Sequence, residues 1–207
     1  MMPKVTSVEL QKKNPRRFNI FLDGQFAFGA DEDLVVNRRL VVGKEILPED
    51  LNKILFEAEV GKLMEKMYRL FGIRQRSEKE VRDYFRIKLR ETSQLVIDAT
   101  IDSLNKKGLV NDEQFAKSWV ESRSKKYGVN RIRQELFQKG IDKEIIDEAV
   151  GGISNEEIAE KALEKKLKNW KNLKPWEFKK KAYDFLMRKG FEYEVVKMVI
   201  EKSVKKE

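Results

Sequence analysis

Two stretches fifty positions apart, LFQKGI at residues 136–141 and LMRKGF at residues 186–191, share the pattern Leu-x-x-Lys-Gly followed by an apolar residue. The agreement continues downstream, where Ile145-Ile146 corresponds to Val195-Val196. A glycine after the last turn of a helix supplies the left-handed residue that ends it. A repeat of this period is typical of stacked helical modules that share a continuous core.

Outward from these stretches, the chain from Pro48 onward has helical spacing and helix boundary signals. Lys107-Gly108 predicts a further helix end, and Ser77-Glu78-Lys79-Glu80 has the pattern of a capping box at a helix start. A weaker copy of the repeat lies at residues 85–88, where Leu89 stands in place of the glycine. The sequence therefore predicts three tandem three-helix repeats, over residues 48–110, 111–152 and 153–207.

The N-terminal segment, residues 1–47, has strand-like runs instead. Residues 18–22 and 25–28 are joined by Asp23-Gly24, and an Asp-Gly pair between two such runs is the strongest short signal for a β-hairpin. Residues 5–10 are predicted to form a third strand. A lone hairpin is marginally stable in water, so we expect this sheet to pack on the helices that follow. The predicted fold class is mainly α: tandem three-helix repeats with a small N-terminal β-hairpin extension.

The composition excludes several classes of enzyme. There is no His and no Cys among 207 residues, which excludes His- or Cys-based triads, zinc sites built on those ligands, redox thiols and disulfides. Neither common Gly-rich phosphate-binding motif is present. Three consecutive carboxylates, Asp31-Glu32-Asp33, cannot all face one ion, so we interpret them as the acidic first turn of a short helix within residues 31–40. We therefore expect no catalytic residue, no metal and no cofactor.

The net charge points to an anionic partner. Lys and Arg number 44 against 35 Asp and Glu, giving +9 at pH 7, which favours a polyanion or an acidic protein surface. Three basic clusters stand out: Arg74, Arg76, Lys79 and Arg82; Arg123, Lys125, Lys126, Arg131 and Arg133; and the run Lys179-Lys180-Lys181. For the lysine run we favour a solvated helix face. For the arginine clusters, two alternatives are equal: contact with phosphates or acidic side chains, and a solvated helix face supported by i,i+4 pairs such as Arg131 with Glu135 and Glu78 with Arg82.

Other features are more ordinary. Trp119, Trp170 and Trp176 are interpreted as core residues. No run approaches the roughly 18 consecutive apolar residues needed to span a bilayer, and the N-terminus lacks an apolar signal core. We therefore expect a cytoplasmic protein, and a monomer.

The motifs between residues 74 and 141 resemble the signature of the RecX family, the bacterial regulators of the RecA recombinase. The resemblance rests on RSEKEV at residues 76–81, KKGLVNDEQFA at 106–116 and GVNRIRQELFQKGI at 128–141. Two departures are Leu89, where the family often has glycine, and a third repeat without the Arg-Ser-Glu start. The N-terminal hairpin looks like the extension found in some members.

This resemblance implies a non-enzymatic function. RecX proteins are tandem three-helix repeats in an elongated, curved array that binds in the groove of the RecA–DNA filament and restrains its ATPase, strand-exchange and coprotease activities. The implied partner is the RecA nucleoprotein filament, with DNA as a second direct contact, in DNA repair, homologous recombination and the SOS response. The positions expected to contact RecA or DNA are Arg74, Arg76, Lys79, Arg82, Arg123, Lys125, Lys126, Arg131, Arg133 and Lys139.

The sequence leaves two alternative functions open. A nonspecific nucleic-acid-binding helical protein would also be basic with scattered aromatics, and would bind bare DNA with a steep dependence on salt. A carboxylate-dependent hydrolase would show metal-dependent cleavage of DNA that is lost on mutation of Asp31 or Asp33.

Overall fold

The computed structural model describes residues 2–170 and 172–204. The chain divides into two compact units, the first of residues 1–75 and 81–110 and the second of residues 76–80 and 111–207. Three strands precede ten helices in the described part of the chain. The predicted mainly α fold, with three-helix repeats and a small N-terminal sheet, is confirmed. The exact domain boundaries stay a prediction.

The helices and strands follow one another in a simple order. The strands are β1 (Val5–Gln11), β2 (Asn14–Leu22) and β3 (Gln25–Asp31). The first helices are α1 (Glu32–Asn37), α2 (Pro48–Phe71), α3 (Glu78–Lys88) and α4 (Gln94–Lys106). The remaining helices are α5 (Asp112–Ser124), α6 (Val129–Gln138), α7 (Lys143–Val150), α8 (Asn155–Trp170), α9 (Pro175–Arg188) and α10 (Tyr193–Val204).

The N-terminal strands form an antiparallel sheet in the order β1-β2-β3. Asp23 and Gly24 join β2 to β3 with φ angles of 48° and 83°, and two positive φ angles are what a two-residue hairpin turn of this kind requires. The acidic run after β3 is the start of helix α1, as predicted. Asp31 caps this helix by accepting a 2.8 Å hydrogen bond from the backbone N–H of Leu34.

Helix α2 contributes to two cores of the first unit. Its first half places Ile54 and Ala58 against the buried face of the sheet, which includes Ile20 and Phe28. Its second half packs with α3 and α4 in a separate apolar cluster that contains Met67. The sheet therefore packs on a helix, as a small sheet must to be stable.

The repeated motif of the second unit is buried at the same positions in both copies. Leu136 and Leu186 are fully buried, and so are the apolar residues Ile141 and Phe191 that follow each Lys-Gly pair. Each leucine lies in its own apolar cluster, one formed by α5 to α7 and the other by α8 to α10. The repeat read from the sequence thus corresponds to two three-helix cores.

Each Lys-Gly turn of the second unit meets the start of another helix. The glycines, Gly140 and Gly190, have φ angles of 78° and 80°. The hydroxyl of Ser77 donates to the backbone oxygen of Lys139 at 2.7 Å. In the second copy, the backbone N–H of Gly128 donates to the backbone oxygen of Lys189 at 2.9 Å. Carbonyls of one repeat therefore bind the polar groups exposed at a helix N-terminus of the repeat before it.

A second contact repeats at these junctions. The first N–H of α3, at Glu78, donates to Oδ1 of Asp112 at 3.0 Å. The first N–H of α6, at Val129, donates to Oδ1 of Asn155 at the same distance. Burial raises the pKa of Asp112 above its ordinary value, and the nearby carboxylate of Glu78 adds to the rise. The first junction thus has a half-buried carboxylate where the second has a half-buried neutral amide.

We expect Gly190→Ala to lower the free energy of unfolding by more than about 1 kcal/mol. A left-handed alanine costs about 1–2 kcal/mol, and its Cβ would lie 2.4 Å from the Cβ of Arg131. Gly152→Ala is the control, because Gly152 has nothing within 4 Å of an added Cβ and has no positive φ. Urea unfolding followed by circular dichroism measures both, and equal midpoints would contradict the close contact.

We expect Asp112→Asn to stabilise the protein at neutral pH, because the amide keeps the hydrogen bond that Asn155 makes in the second junction. The raised pKa means that the unfolded carboxyl ionises first, so the wild type loses stability as pH rises above the ordinary Asp value of 3.8. The two proteins should be equally stable at pH 3 and differ at pH 7 in urea unfolding. A difference that does not change with pH would contradict this account.

Candidate functional site

Two of the predicted site residues lie in the first unit. Arg82 forms an ion pair with Asp98, with 2.9 Å between Nη1 and Oδ1, and both side chains are almost half exposed. The Arg82 guanidinium holds the pKa of Asp98 below its ordinary value. Arg74, in the loop before α3, donates from Nη1 to the backbone oxygen of Gln75 at 2.9 Å. An exposed ion pair of this kind contributes little to stability.

Four other predicted site residues lie in the second unit: Arg76, Lys79, Arg133 and Lys139. Lys79 donates to the backbone oxygen of Gln138 at 2.8 Å. Lys139 pairs with Glu80, and Arg133 pairs with Asp147. Arg76 is half-buried, and its Nε has no hydrogen-bond partner among the described residues. Lys139 and Arg133 are therefore engaged in ion pairs within the chain.

Arg123 and Arg131 lie against two aromatic rings. The Arg123 guanidinium is 4.9 Å from the ring centre of Trp119 and 5.6 Å from that of Tyr127. The Arg131 guanidinium is 4.1 Å from the Tyr127 ring centre. Cations over ring faces are attracted to the negative charge of the π system. The group that we call the Tyr127 cluster consists of Trp119, Arg123, Tyr127, Arg131, Glu135, Lys139 and Lys189.

One carboxylate, Glu135, holds the centre of this cluster. Its Oε2 lies 3.0 Å from Nε of Arg123 and accepts a 3.0 Å hydrogen bond from Nε1 of Trp119. Its Oε1 accepts from Nε of Arg131 at 3.2 Å, which confirms the pair predicted from their spacing. Only 18% of the Glu135 side chain is exposed. This single acid therefore fixes two arginines and an indole.

Two lysines raise the positive charge of the cluster. Nζ of Lys139 is 5.1 Å from the Trp119 ring centre, and Nζ of Lys189 is 5.1 Å from the Tyr127 ring centre. Lys189 also donates to the backbone oxygen of Lys126 at 2.8 Å. Burial lowers the pKa of Lys189, and the charge of Arg131 lowers it further. A nearby anion would therefore stabilise the charged form of Lys189.

An open groove of about 400 Å³ adjoins the cluster. Its lining is mostly polar and consists of Asn130, Arg131, Gln134, Glu135, Gln138, Met187, Arg188 and Gly190. Arg188 is exposed there, and Lys125 and Lys126 are exposed at the C-terminal end of α5. Donors and cations on an open surface suit carboxylates or phosphates of a macromolecule.

The sequence reasoning missed Tyr127, Glu135, Lys189 and Arg188 as members of this surface. A signal for two of them was present, because Trp119, Arg123, Tyr127, Arg131 and Glu135 recur every four residues. Helix α5 ends before Tyr127, so that spacing did not predict one continuous helical face. One core assignment was wrong: Trp176 is 64% exposed, whereas Trp119 and Trp170 pack against the cores of their repeats.

Family models match three segments of the chain. The N-terminal domain of regulatory protein RecX matches residues 3–47, the second three-helix domain residues 111–150, and the third three-helix domain residues 154–200. The regulatory protein RecX of Bacillus subtilis (strain 168) is 39% identical over 200 residues, 94% of this chain and 75% of the relative. The chain belongs to the RecX family. Its similarity to the RecX protein of Clostridium beijerinckii is 35% identity, over 97% of this chain and 96% of the relative.

Solved structures of RecX proteins have the same fold. A crystal structure of regulatory protein RecX, 27% identical, superimposes with a TM-score of 0.76 and covers 97% of this chain and 100% of that structure. A structure of RecX from Lactobacillus salivarius, 22% identical, gives a TM-score of 0.62 over 70% of this chain and 96% of that structure, and supports the fold alone. None of the helices described in this RecX-family chain is long and apolar enough to cross a membrane.

We expect Glu135→Gln to lower the free energy of unfolding by about 2 kcal/mol, in the range for losing hydrogen bonds between charged groups. The loss should shrink with added salt, because salt screens the repulsion among the cations left behind. Urea unfolding at low and high salt measures this. Glu164→Gln, an exposed change on α8, is the control. An equal loss in the control would contradict the central role of Glu135.

Proposed function

We propose that this protein is a regulator of the RecA recombinase, which binds in the groove of the RecA–DNA filament and restrains its ATPase and recombinase activities. The observation that carries the proposal is membership of the RecX family, whose curated relatives are named regulatory proteins and match nearly the full chain. The restraint acts by occupying a surface, without catalysis by this chain. The proposal includes a cytoplasmic location and action as a monomer.

The ten basic positions predicted from the sequence are proposed to contribute in two ways. Those with internal partners stabilise the packing and set the positive charge of the Tyr127 cluster: Arg123 and Arg131 bind Glu135 within one repeat, and Lys139 binds Glu80 at the start of α3. Lys125 and Lys126, with exposed side chains beside the cluster, contact acidic groups of RecA or phosphates of the filament. Arg188 in the adjoining groove adds a third cation of the same kind.

We expect the protein to inhibit DNA-dependent ATP hydrolysis by the cognate RecA when added in stoichiometric amounts. The charge reversal Lys125→Glu/Lys126→Glu should weaken this inhibition by about tenfold or more, since loss of charged contacts worth about 1.4 kcal/mol changes affinity tenfold. Lys179→Glu/Lys180→Glu is the matched control, because both lysines are exposed on α9, whereas Lys125 and Lys126 directly precede Tyr127 and the Lys126 oxygen is bound by Lys189.

Two results would contradict the proposal. Unchanged ATP hydrolysis at stoichiometric amounts of the wild-type protein would contradict RecA regulation itself. Equal weakening by the two double variants would contradict the assigned surface, because it would reflect only the total charge.

A second candidate is nonspecific binding of nucleic acid, which the exposed Trp176 and the net charge favour. Comparing binding to bare single-stranded DNA with binding to RecA-coated DNA over a range of salt concentrations separates the two. We expect a preference for the coated DNA. Tight, steeply salt-dependent binding to bare DNA with no such preference would favour the second candidate.

A further inference from the structure

Strand β3 has an open edge in the first unit. The strand order β1-β2-β3 leaves β1 and β3 at the edges. The edge of β1 is covered in part by the segment around Lys44, because the N–H of Val5 donates to the Lys44 oxygen at 2.8 Å and the Val5 oxygen accepts from Gly43 at 2.8 Å. Edge strands present unpaired N–H and C=O groups that can pair with another chain.

A groove of about 780 Å³ lies along this edge, between β3 and helix α2. The strand lines it with four consecutive residues, Phe26 to Gly29. Successive side chains of a strand point to opposite faces, so a groove lined by four in a row follows the backbone edge. The Gly29 oxygen is already bound by the Arg17 guanidinium at 2.9 Å, so pairing is left to residues 26–28.

The far wall of the groove is cationic. Lys62, Lys66 and Arg69 of α2 line it, together with Lys13 from the turn between β1 and β2. Of the two acids in the lining, Glu65 is already engaged: its Oε1 accepts a 2.7 Å hydrogen bond from Asn14 and lies 3.7 Å from Nη2 of Arg69, while its Oε2 lies 3.4 Å from Nη1 of Arg17. Glu59 is the other. The wall therefore presents a net positive charge to anything paired with β3.

The groove also offers an apolar anchor. Phe26 is 59% exposed and packs edge-on against Phe21, with 5.9 Å between ring centres. Phe28 and Leu55 add apolar surface to the lining. An exposed aromatic beside a free strand edge is typical of sites that take the side chain of an added strand.

We propose that this groove binds an extended, acidic segment of a partner protein, which adds to β3 as a further strand. Its backbone pairs with the strand along residues 26–28, its carboxylates meet Lys62 and Lys66, and an apolar side chain packs on Phe26. Nucleic acid lacks the alternating N–H and C=O groups that a strand edge pairs with, so a peptide fits the groove better. None of the ten basic positions predicted from the sequence lines this groove, so the inference is independent of the proposed function.

The probe is a fluorescein-labelled peptide in which glutamate alternates with valine, titrated with the full chain and followed by fluorescence anisotropy. We expect binding that Lys62→Glu/Lys66→Glu weakens by about tenfold or more. Lys53→Glu/Lys106→Glu is the matched control in the same unit, because neither lysine lines the groove. The control should bind within about twofold of the wild type, and equal weakening by both variants would overturn the site.

Three further measurements test strand addition. A peptide of the same sequence, N-methylated at every residue, keeps its charge but has no backbone N–H to donate to the strand, so it should not bind. On binding the unmodified peptide, the outward-pointing amides among residues 25–28, which alternate with those facing β2, should become protected from hydrogen exchange. Equal affinity of the methylated peptide would overturn strand addition. Displacement of the acidic peptide by single-stranded DNA at equal charge concentration would overturn the choice of a peptide partner.

Discussion

The second unit depends on one close backbone contact, between the turn at Gly190 and the start of α6 at Gly128. The N–H of Gly128 donates to the Lys189 oxygen at 2.9 Å, and the N–H of Asn130 donates to the Gly190 oxygen at 3.1 Å. A Cβ on Gly128 would lie 2.3 Å from that same oxygen of Gly190. Gly190 is thus required because its backbone has a positive φ. Gly128 is required because a side chain at that position would collide with the Gly190 backbone. Polar groups at a helix start, which would otherwise need water, are satisfied by the following repeat.

The first junction shows the same arrangement with a different distribution of charge. The third residue of α3 is Glu80, and it pairs with Lys139 of the Lys-Gly turn. The third residue of α6 is Arg131, whose charge lowers the pKa of the corresponding Lys189. An attractive pair in one junction is therefore a like-charge pair in the other. The repulsion is offset by the Tyr127 ring and by Glu135, and the cluster leaves an excess of positive charge beside an open groove.

The parts of the fold that could be predicted are those set by local chemistry. Asp23-Gly24 predicts its hairpin, and the Lys-Gly pairs predict their helix ends, because a positive φ depends on the residue itself. The exposure of Trp176 could also be predicted from local sequence. The buried stripe of α9 is Phe178, Ala182 and Leu186, each four residues apart, and a residue two positions before Phe178 lies on the opposite face of the helix.

The Tyr127 cluster could not be predicted from local sequence, because its contacts join separate helices. Arg123 lies in the last turn of α5 and Glu135 lies in α6, and only the turn between those helices brings the guanidinium within 3.0 Å of the carboxylate. The groove along β3 has the same origin, since lysines of α2 meet a strand that precedes them by more than thirty residues. Residue type and spacing find the helices and turns, whereas the surfaces arise where those elements pack together.

A basic residue in this protein therefore has to be judged by its partners and by its charge together. Arg123 and Arg131 are held by a carboxylate that is mostly buried. Removing Arg123 therefore disturbs the packing of α5 on α6, and removing Arg131 disturbs the contact of α6 with the Tyr127 ring, before either loss affects a bound anion. Lys125 and Lys126 extend from the end of α5 into solvent and carry no such cost. The arginines held by Glu135 make the electrostatic potential around this turn positive. Lys125 and Lys126 are exposed beside them, where they can contact an anionic partner that this potential attracts. Charge reversal at the exposed lysines therefore probes the surface itself, whereas substitution of the engaged arginines also probes the fold.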